Sequence, residues 1–181
     1  EVAVLKRRTS RLDTLAAVPG LTAHDVEDEP VGPLESSRPF GAVIHAATDY
    51  GRDPEQPLAP FWANEAMPVR LLDAARRTGA AFLNVDTFFN DGVGAYAHLG
   101  SYTLSKRHFQ EWGLHLGEHA RARFANLRLY HLYGPGDGPG KFVPAFVRRC
   151  LAGETIDMTD GRQERDFIHV SDAVSALLAL L

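Results

Sequence analysis

The chain has 181 residues, 45% of them hydrophobic and 23% charged, with a formal net charge of -4. That is the composition of one ordinary globular domain with room for a substantial core, and neither the acidic balance nor any lysine-rich tail favours nucleic acid as a partner. No apolar run approaches the roughly 20 residues that cross a bilayer and no signal peptide opens the sequence, so the default expectation is a cytoplasmic protein with no membrane partner.

In chain order, the apolar run inside Glu1 to Lys6 predicts a buried parallel strand, and its abrupt start leads to the expectation of a longer working protein. Lys6, Arg7, Arg8, Thr9, Ser10 and Arg11 follow as a basic, hydroxyl-rich cluster at the strand's carboxyl end, where α/β folds bind ligands; a phosphate site and a solvated loop both fit it. A second strand is predicted over Leu21 to Val26, ending at Asp25. Pro30, Gly32, Pro33 and Pro39 then mark loop. Ala42 to Ala47 predicts another buried strand that runs into small residues, which let a ligand approach the backbone. His45 has no second ligand at useful spacing and reads as a packed strand-end histidine, so no metal site is expected.

Leu58 to Thr78 carries a helical pattern stopped by Gly79, with a kink expected at Pro68, which cannot donate to the carbonyl of Asn64. Ala80 to Asp86 predicts a strand with Thr87 at its carboxyl end, followed by Phe88, Phe89 and a glycine-rich loop up to Ser101. The next helix holds Tyr102 and Lys106 one turn apart on one face, beside an apolar stripe of Phe109, Trp112 and Leu116. An ammonium close to a phenol favours the phenolate, so Lys106 is expected to lower the Tyr102 pKa and ready it for proton exchange with a sugar oxygen.

Phe124 to Tyr130 predicts a further strand, with His131 to Gly136 as a turn-forming loop at its end. Phe142 to Leu151 reads as an amphipathic helix whose Cys150, the only cysteine, is expected to be a buried structural thiol. A charged turn through Arg165 precedes a short strand near Phe167, and Ser171 is placed to cap the last helix. Strand and helix alternate throughout, which predicts a doubly wound parallel α/β sheet with right-handed crossovers.

The segments Val43 to Ala47, Ser101 to Lys106, Leu127 to Gly136 and Arg165 to Val170 together resemble the extended short-chain dehydrogenases/reductases that act on nucleotide sugars, the epimerase/dehydratase family. The resemblance implies a Rossmann-like dinucleotide-binding domain over residues 1–131 and the start of a small substrate-binding region over 132–181. Within it Tyr102 would be the acid/base, Lys106 its electrostatic partner and a cofactor ligand, and Thr87 the hydroxyl that orients the substrate oxygen. Ala46, Ala47 and Leu132 would lie along the cofactor, Asp25 and Val26 near adenine, and Asn64 would serve the architecture of the site. Substrate contacts would come from Thr48, Phe88, His131, Lys141, Phe142 and Arg165, the last gripping the diphosphate with its guanidinium fork.

The family's Gly-rich phosphate-binding turn is absent from the sequence. Lys6, Arg7, Arg8 and Ser10 stand where an NAD-preferring fold has an acid for the ribose 2′-hydroxyl, so NADP(H) is expected over NAD(H). Thr87 is followed by Phe88 and Phe89 in place of the Asp-Glu of the 4,6-dehydratases, and two phenylalanines move no protons. The sequence is most similar to CDP-abequose synthase-like 4-ketoreductases of deoxysugar pathways, which implies NADPH-dependent reduction of a nucleotide-linked 4-keto-6-deoxy sugar. A C4 epimerase uses the same groups, and a non-catalytic NADP(H) or sugar-nucleotide sensor would have no need of the proton donor. By the same likeness a homodimer is expected through the Tyr102 helix and the Leu58 to Thr78 helix.

Overall fold

The computed structural model describes residues 2–27, 31–35, 40–91 and 99–181; Glu1 and the predicted loop positions within 28–30, 36–39 and 92–98 lie outside the described residues. The chain divides into two compact units, Glu1–Asn126 and Leu127–Leu181.

In the first unit β1 (Val2–Lys6) pairs in parallel with β2 (Leu21–Asp25), in a register that sets Lys6 opposite Asp25. β1 is half-buried where a buried strand was expected, since Leu5 packs on the core while Val2 is left at the surface. β3 (Ala42–His45), β4 (Ala81–Thr87) and β5 (Arg123–Leu129) form a ladder in the order β3-β4-β5, with β3 and β4 parallel from Ala42 opposite Ala81 to His45 opposite Asn84. In β3 only His45 is buried, Ala42 and Val43 being half-buried and Ile44 exposed, whereas β4 is buried along almost its whole length. Such a central strand ordinarily reads as an unbroken apolar run. Here it carries Asn84, Asp86 and Thr87, all buried.

The predicted kink at Pro68 takes another form. The helix opens as α1 (Ala59–Phe61), widens into a π turn over Trp62–Ala66 and continues as α2 (Met67–Thr78), the Met67 amide reaching back to the Trp62 carbonyl. An extra residue in the turn just before proline accommodates the missing N–H without breaking the helix. Gly79, at φ +78°, closes α2 in the left-handed conformation.

α3 (Gly100–Ala120) buries Tyr102, Ser105, Lys106, Phe109 and Gly113. Trp112, placed in the apolar stripe by its spacing, is 47% exposed, because the buried face follows 102, 106, 109 and 113 and leaves 112 at its flank. Phe109 and Phe82 meet edge to face at 5.7 Å between centroids, and Phe124 stacks on Phe82 at 6.2 Å. With Leu71, Leu72, Ala74 and Ala75 of α2 they form the core that fixes α2 and α3 over the sheet.

In the second unit β6 (His131–Tyr133) pairs in parallel with β7 (Phe167–His169). His131–Tyr133 was read as loop, and it is the β7 ladder that draws these three residues into a strand. α4 (Phe142–Leu151) leaves Cys150 exposed rather than buried, its apolar stripe falling on other positions. α5 (Val170–Ala179) is capped by the imidazole of His169, which accepts from the Ser171 amide at 3.3 Å; Ser171, expected as the cap, lies inside the helix. Parallel ladders flanked by helices make this a Rossmann-like α/β fold.

Gly113 provides a test of the packing. A Cβ there would meet the Phe124 ring at 2.2–2.5 Å. Glycine to alanine within a helix ordinarily stabilises by about 1 kcal/mol, but Phe124 is held by Phe82 and Phe109. Urea denaturation is therefore expected to show Gly113→Ala destabilised by about 1–3 kcal/mol.

Candidate active site

Two elements of the first unit bring three side chains together: β4 carries Thr87 at its carboxyl end, and the first turns of α3 carry Tyr102 and Lys106. All three are buried, Lys106 to 2% exposure. The Lys106 Nζ donates to the Val85 carbonyl at 2.9 Å. Burial pushes the ammonium down from 10.5 to about 8, against the pull of the Asp86 carboxylate. Tyr102 departs from expectation in the other direction. Burial raises its phenol to about 12, opposed by hydrogen bonding with Thr87 and reinforced by Tyr50 and Asp86, so the expected lowering by Lys106 does not govern it.

Aromatic rings enclose the phenol. Tyr50 stacks on the Tyr102 ring at 4.9 Å and 30°, and Phe89 meets it edge-on at 6.3 Å. The Arg52 guanidinium lies 4.9 Å from the centre of the Tyr50 ring. Asn64, fully buried in the π turn, holds this segment: its Oδ1 accepts from the Asp49 amide and its Nδ2 donates to the Asp49 carbonyl, both at 2.8 Å. The same Nδ2 donates to Ser105 Oγ at 3.1 Å, linking the π turn to α3. Asp49 Oδ1 accepts from the Gly51 amide at 2.8 Å and tightens the turn below Tyr50.

Beneath the site runs a polar chain that the sequence reading did not assemble. The Asp86 carboxylate accepts from Asn90 and from Asn126, both at 2.8 Å; the Asn126 Oδ1 accepts from Asn84 at 2.7 Å, and the Asn84 Oδ1 lies 3.0 Å from His45 Nδ1. Burial holds His45 at about 4, so it is neutral. Its one signal in the sequence was a polar residue at every second position, Asn84 and Asp86, in a strand otherwise apolar.

At the carboxyl ends of β1 and β2, Lys6 forms an ion pair with Asp25, so its charge is engaged within the ladder. The Arg8 amide donates to the Glu27 carboxylate at 3.2 Å, and the Val26 amide to the Lys6 carbonyl at 2.9 Å. The Ser10 amide closes a turn on the Arg7 carbonyl at 2.9 Å. Ala46, Ala47 and Thr48, beyond β3, are exposed. In the second unit His131 and Phe142 pack on Phe167 at 5.5 and 5.9 Å, while Leu132 sits in β6 opposite Ile168. Burial and the neighbouring Arg165 lower the His131 pKa, against the pull of Asp166. Lys141 Nζ is 2.7 Å from the Asp137 carboxylate, which holds that carboxyl below its usual range.

A parallel α/β fold with a buried tyrosine and lysine one turn apart, and a hydroxyl at the facing strand end, defines the class of extended short-chain dehydrogenases/reductases. The chain belongs to the NAD dependent epimerase/dehydratase family, which it matches over residues 1–181. It is 40% identical over 150 residues to CDP-abequose synthase of Salmonella muenchen, covering 81% of this chain and 51% of that protein. Over 60 residues it is 45% identical to dTDP-4-dehydro-6-deoxy-D-allose reductase of Streptomyces bikiniensis, 30% of this chain and 18% of the relative. Thus the chain spans about half the length of the two CDP-abequose synthases from Salmonella, 51% and 47%. Among solved structures, UDP-N-acetylglucosamine 4-epimerase of Methanobrevibacter ruminantium superimposes with a TM-score of 0.79 at 19% identity, covering 98% of this chain and 64% of that one. dTDP-glucose 4,6-dehydratase of Streptomyces venezuelae, solved with NAD bound, gives 0.74 at 23% identity, covering 100% and 63%. These distant likenesses establish the fold.

Because the folded state lowers the Lys106 pKa, the unfolded chain binds a proton that the folded chain lacks between about pH 8 and 10.5. Stability therefore rises with pH across that window. Lys106→Met removes the effect: thermal denaturation is expected to show it more stable than the parent at pH 7, by about 1–3 kcal/mol, with the gap closing towards pH 10. Above that, the raised Tyr102 pKa acts with the opposite sign.

Proposed function

We propose that this chain carries the catalytic machinery of an NADPH-dependent reductase acting at the C4 keto group of a nucleotide-linked 4-keto-6-deoxy sugar. The observation that carries the reading is the buried Thr87, Tyr102 and Lys106 set at the end of β4 and the start of α3. The names of the Salmonella and Streptomyces relatives support the substrate class.

The residues present fit the nicotinamide half of the cofactor: the exposed Ala46 and Ala47 allow close approach beyond β3, and Lys106 offers the ribose a donor. Leu132 would lie by the carboxamide, and Asp25 and Val26 by adenine. With Lys6 engaged by Asp25, preference for a 2′-phosphate would rest on Arg7, Arg8 and Ser10. When bound, the reduced nicotinamide supplies a hydride to the carbonyl carbon. Tyr102 gives its phenolic proton to the carbonyl oxygen, completing the alcohol. Thr87 donates a hydrogen bond to the same oxygen, and the Lys106 ammonium steadies the phenolate left behind. Hydride addition leaves an alkoxide, a stronger base than the phenolate, so the proton moves from Tyr102 towards the sugar oxygen. Arg165 and Lys141 would take the diphosphate, while Thr48, Phe88, His131 and Phe142 would border the sugar and base.

The test is loss of NADPH absorbance on mixing with CDP- and dTDP-linked 4-keto-6-deoxyglucose. Stoichiometric oxidation is expected, reduced by about a hundredfold to ten-thousandfold in Tyr102→Phe. The rate should decline above about pH 8 as Lys106 loses its proton. Oxidation with neither sugar, in protein shown to bind NADPH, would reject the reading.

We also propose that the protein pairs as a homodimer through α1, the π turn and α3, on the strength of Phe61, Trp62 and Leu104, which are 40%, 61% and 44% exposed on those elements. Light scattering is expected to give twice the protomer mass, and Trp62→Glu to shift it to the monomer.

A further inference from the structure

We propose that Asp86 is a positioning residue for the proton transfer: its buried carboxylate is the fixed counter-charge to the Lys106 ammonium that stands beside Tyr102. The proposal rests on Tyr102 being the proton donor of the reductase.

Side chains alternate along a strand, so Phe82, Asn84 and Asp86 share one face of β4. Phe82 meets Phe109 of α3 across that face, at 5.7 Å. Advancing from Phe82 to Asp86 along the strand runs alongside the step from Phe109 through Lys106 to Tyr102 on the helix, which brings the carboxylate beside the site. Asp86 is 4% exposed and makes no ion pair within 4 Å among the described residues. An ionised carboxylate there would be costly without donors. It has two, Asn90 and Asn126, each at 2.8 Å.

With neutral His45 protonated at Nδ1 the donors share one sense: Asn126 gives its N–H to Asp86 while its oxygen accepts from Asn84, and the Asn84 oxygen accepts from His45. Every bond in that sequence then points a hydrogen towards Asp86. The groups that face the carboxylate are Lys106 and Tyr102 from α3, Asn126 from β5 and Asn90 from the turn after β4, with neutral His45 and Asn84 behind Asn126; Tyr50 acts on Tyr102 from the opposite loop. Lys106 is the cation among them, and Arg128 follows two residues after Asn126 on the same face of β5. A negative charge at Asp86 raises both the ammonium and the phenol. A neutral residue there would let Lys106 lose its proton at lower pH, while burial alone keeps the Tyr102 phenol raised.

The experiment follows the 13Cε resonance of Lys106 against pH in protein labelled at lysine, with Lys6 and Lys141 as internal controls and Lys106→Arg for assignment. In Asp86→Asn the Lys106 midpoint is expected to fall by about one unit, a tenfold change in its protonation ratio, while the controls stay and Asp86→Glu returns towards the parent. In the NADPH assay the basic limb of kcat/KM should move down with it, with KM unchanged at neutral pH. A Lys106 midpoint unchanged in Asp86→Asn would overturn the proposal. If Asp86→Asn does not fold, Asp86→Ser puts the same question. If neither neutral variant folds and the glutamate does, the charge serves the fold rather than the site, and the proposal is overturned. The titration needs no substrate, so failure of the reductase reading would show separately, as Tyr102→Phe retaining NADPH oxidation.

Discussion

Taking the Lys106 ammonium out of water is the constraint on which the site depends. A lysine 2% exposed loses its hydration shell, and the surroundings must return enough of it for the charge to persist. The Val85 carbonyl returns one hydrogen bond and the Asp86 field returns the opposite sign. Neither would suffice in an apolar strand. β4 therefore departs from the pattern of a buried parallel strand and carries polar side chains at 84, 86 and 87, each answered by a neighbour: Asn126, Asn90 and the phenol.

The second organising feature is the π turn. Proline at position 68 forces the helix to widen, and the widened turn holds Asn64 fully buried, in reach of both the Asp49 peptide and Ser105. One amide thus ties together the loop after β3, the helix that precedes β4 and the helix that bears Tyr102. Functional positions are often found where a helix departs from regular hydrogen bonding. The irregularity here places the Tyr50 ring on Tyr102.

Much of this was legible in the sequence. Apolar runs and their spacing mark β4 and α4 nearly to the residue and the start of α3, and the spacing alone puts Tyr102 and Lys106 on one face of that helix. What escaped was set by tertiary contact. The direction of the Tyr102 shift depends on burial and on two groups distant in sequence, Tyr50 and Asp86, so an argument from Lys106 alone had the wrong sign. His131–Tyr133 becomes a strand only because β7 lies beside it, 36 residues on in the Cα register. Pro68 announced an irregular helix but not its form, since kink and π turn both relieve the missing N–H. The Asp86 chain draws on three strands, His45 from β3, Asn84 and Asp86 from β4 and Asn126 from β5, and no window of sequence contains it.

The exposure of Cys150 has a practical side. The chain holds a single thiol, solvent-accessible, and it falls in the smaller unit, on α4. One maleimide dye or spin label would therefore mark the 127–181 unit alone, with no background from the unit that bears Tyr102. The labelled unit can then be followed on its own, without introducing or removing any cysteine.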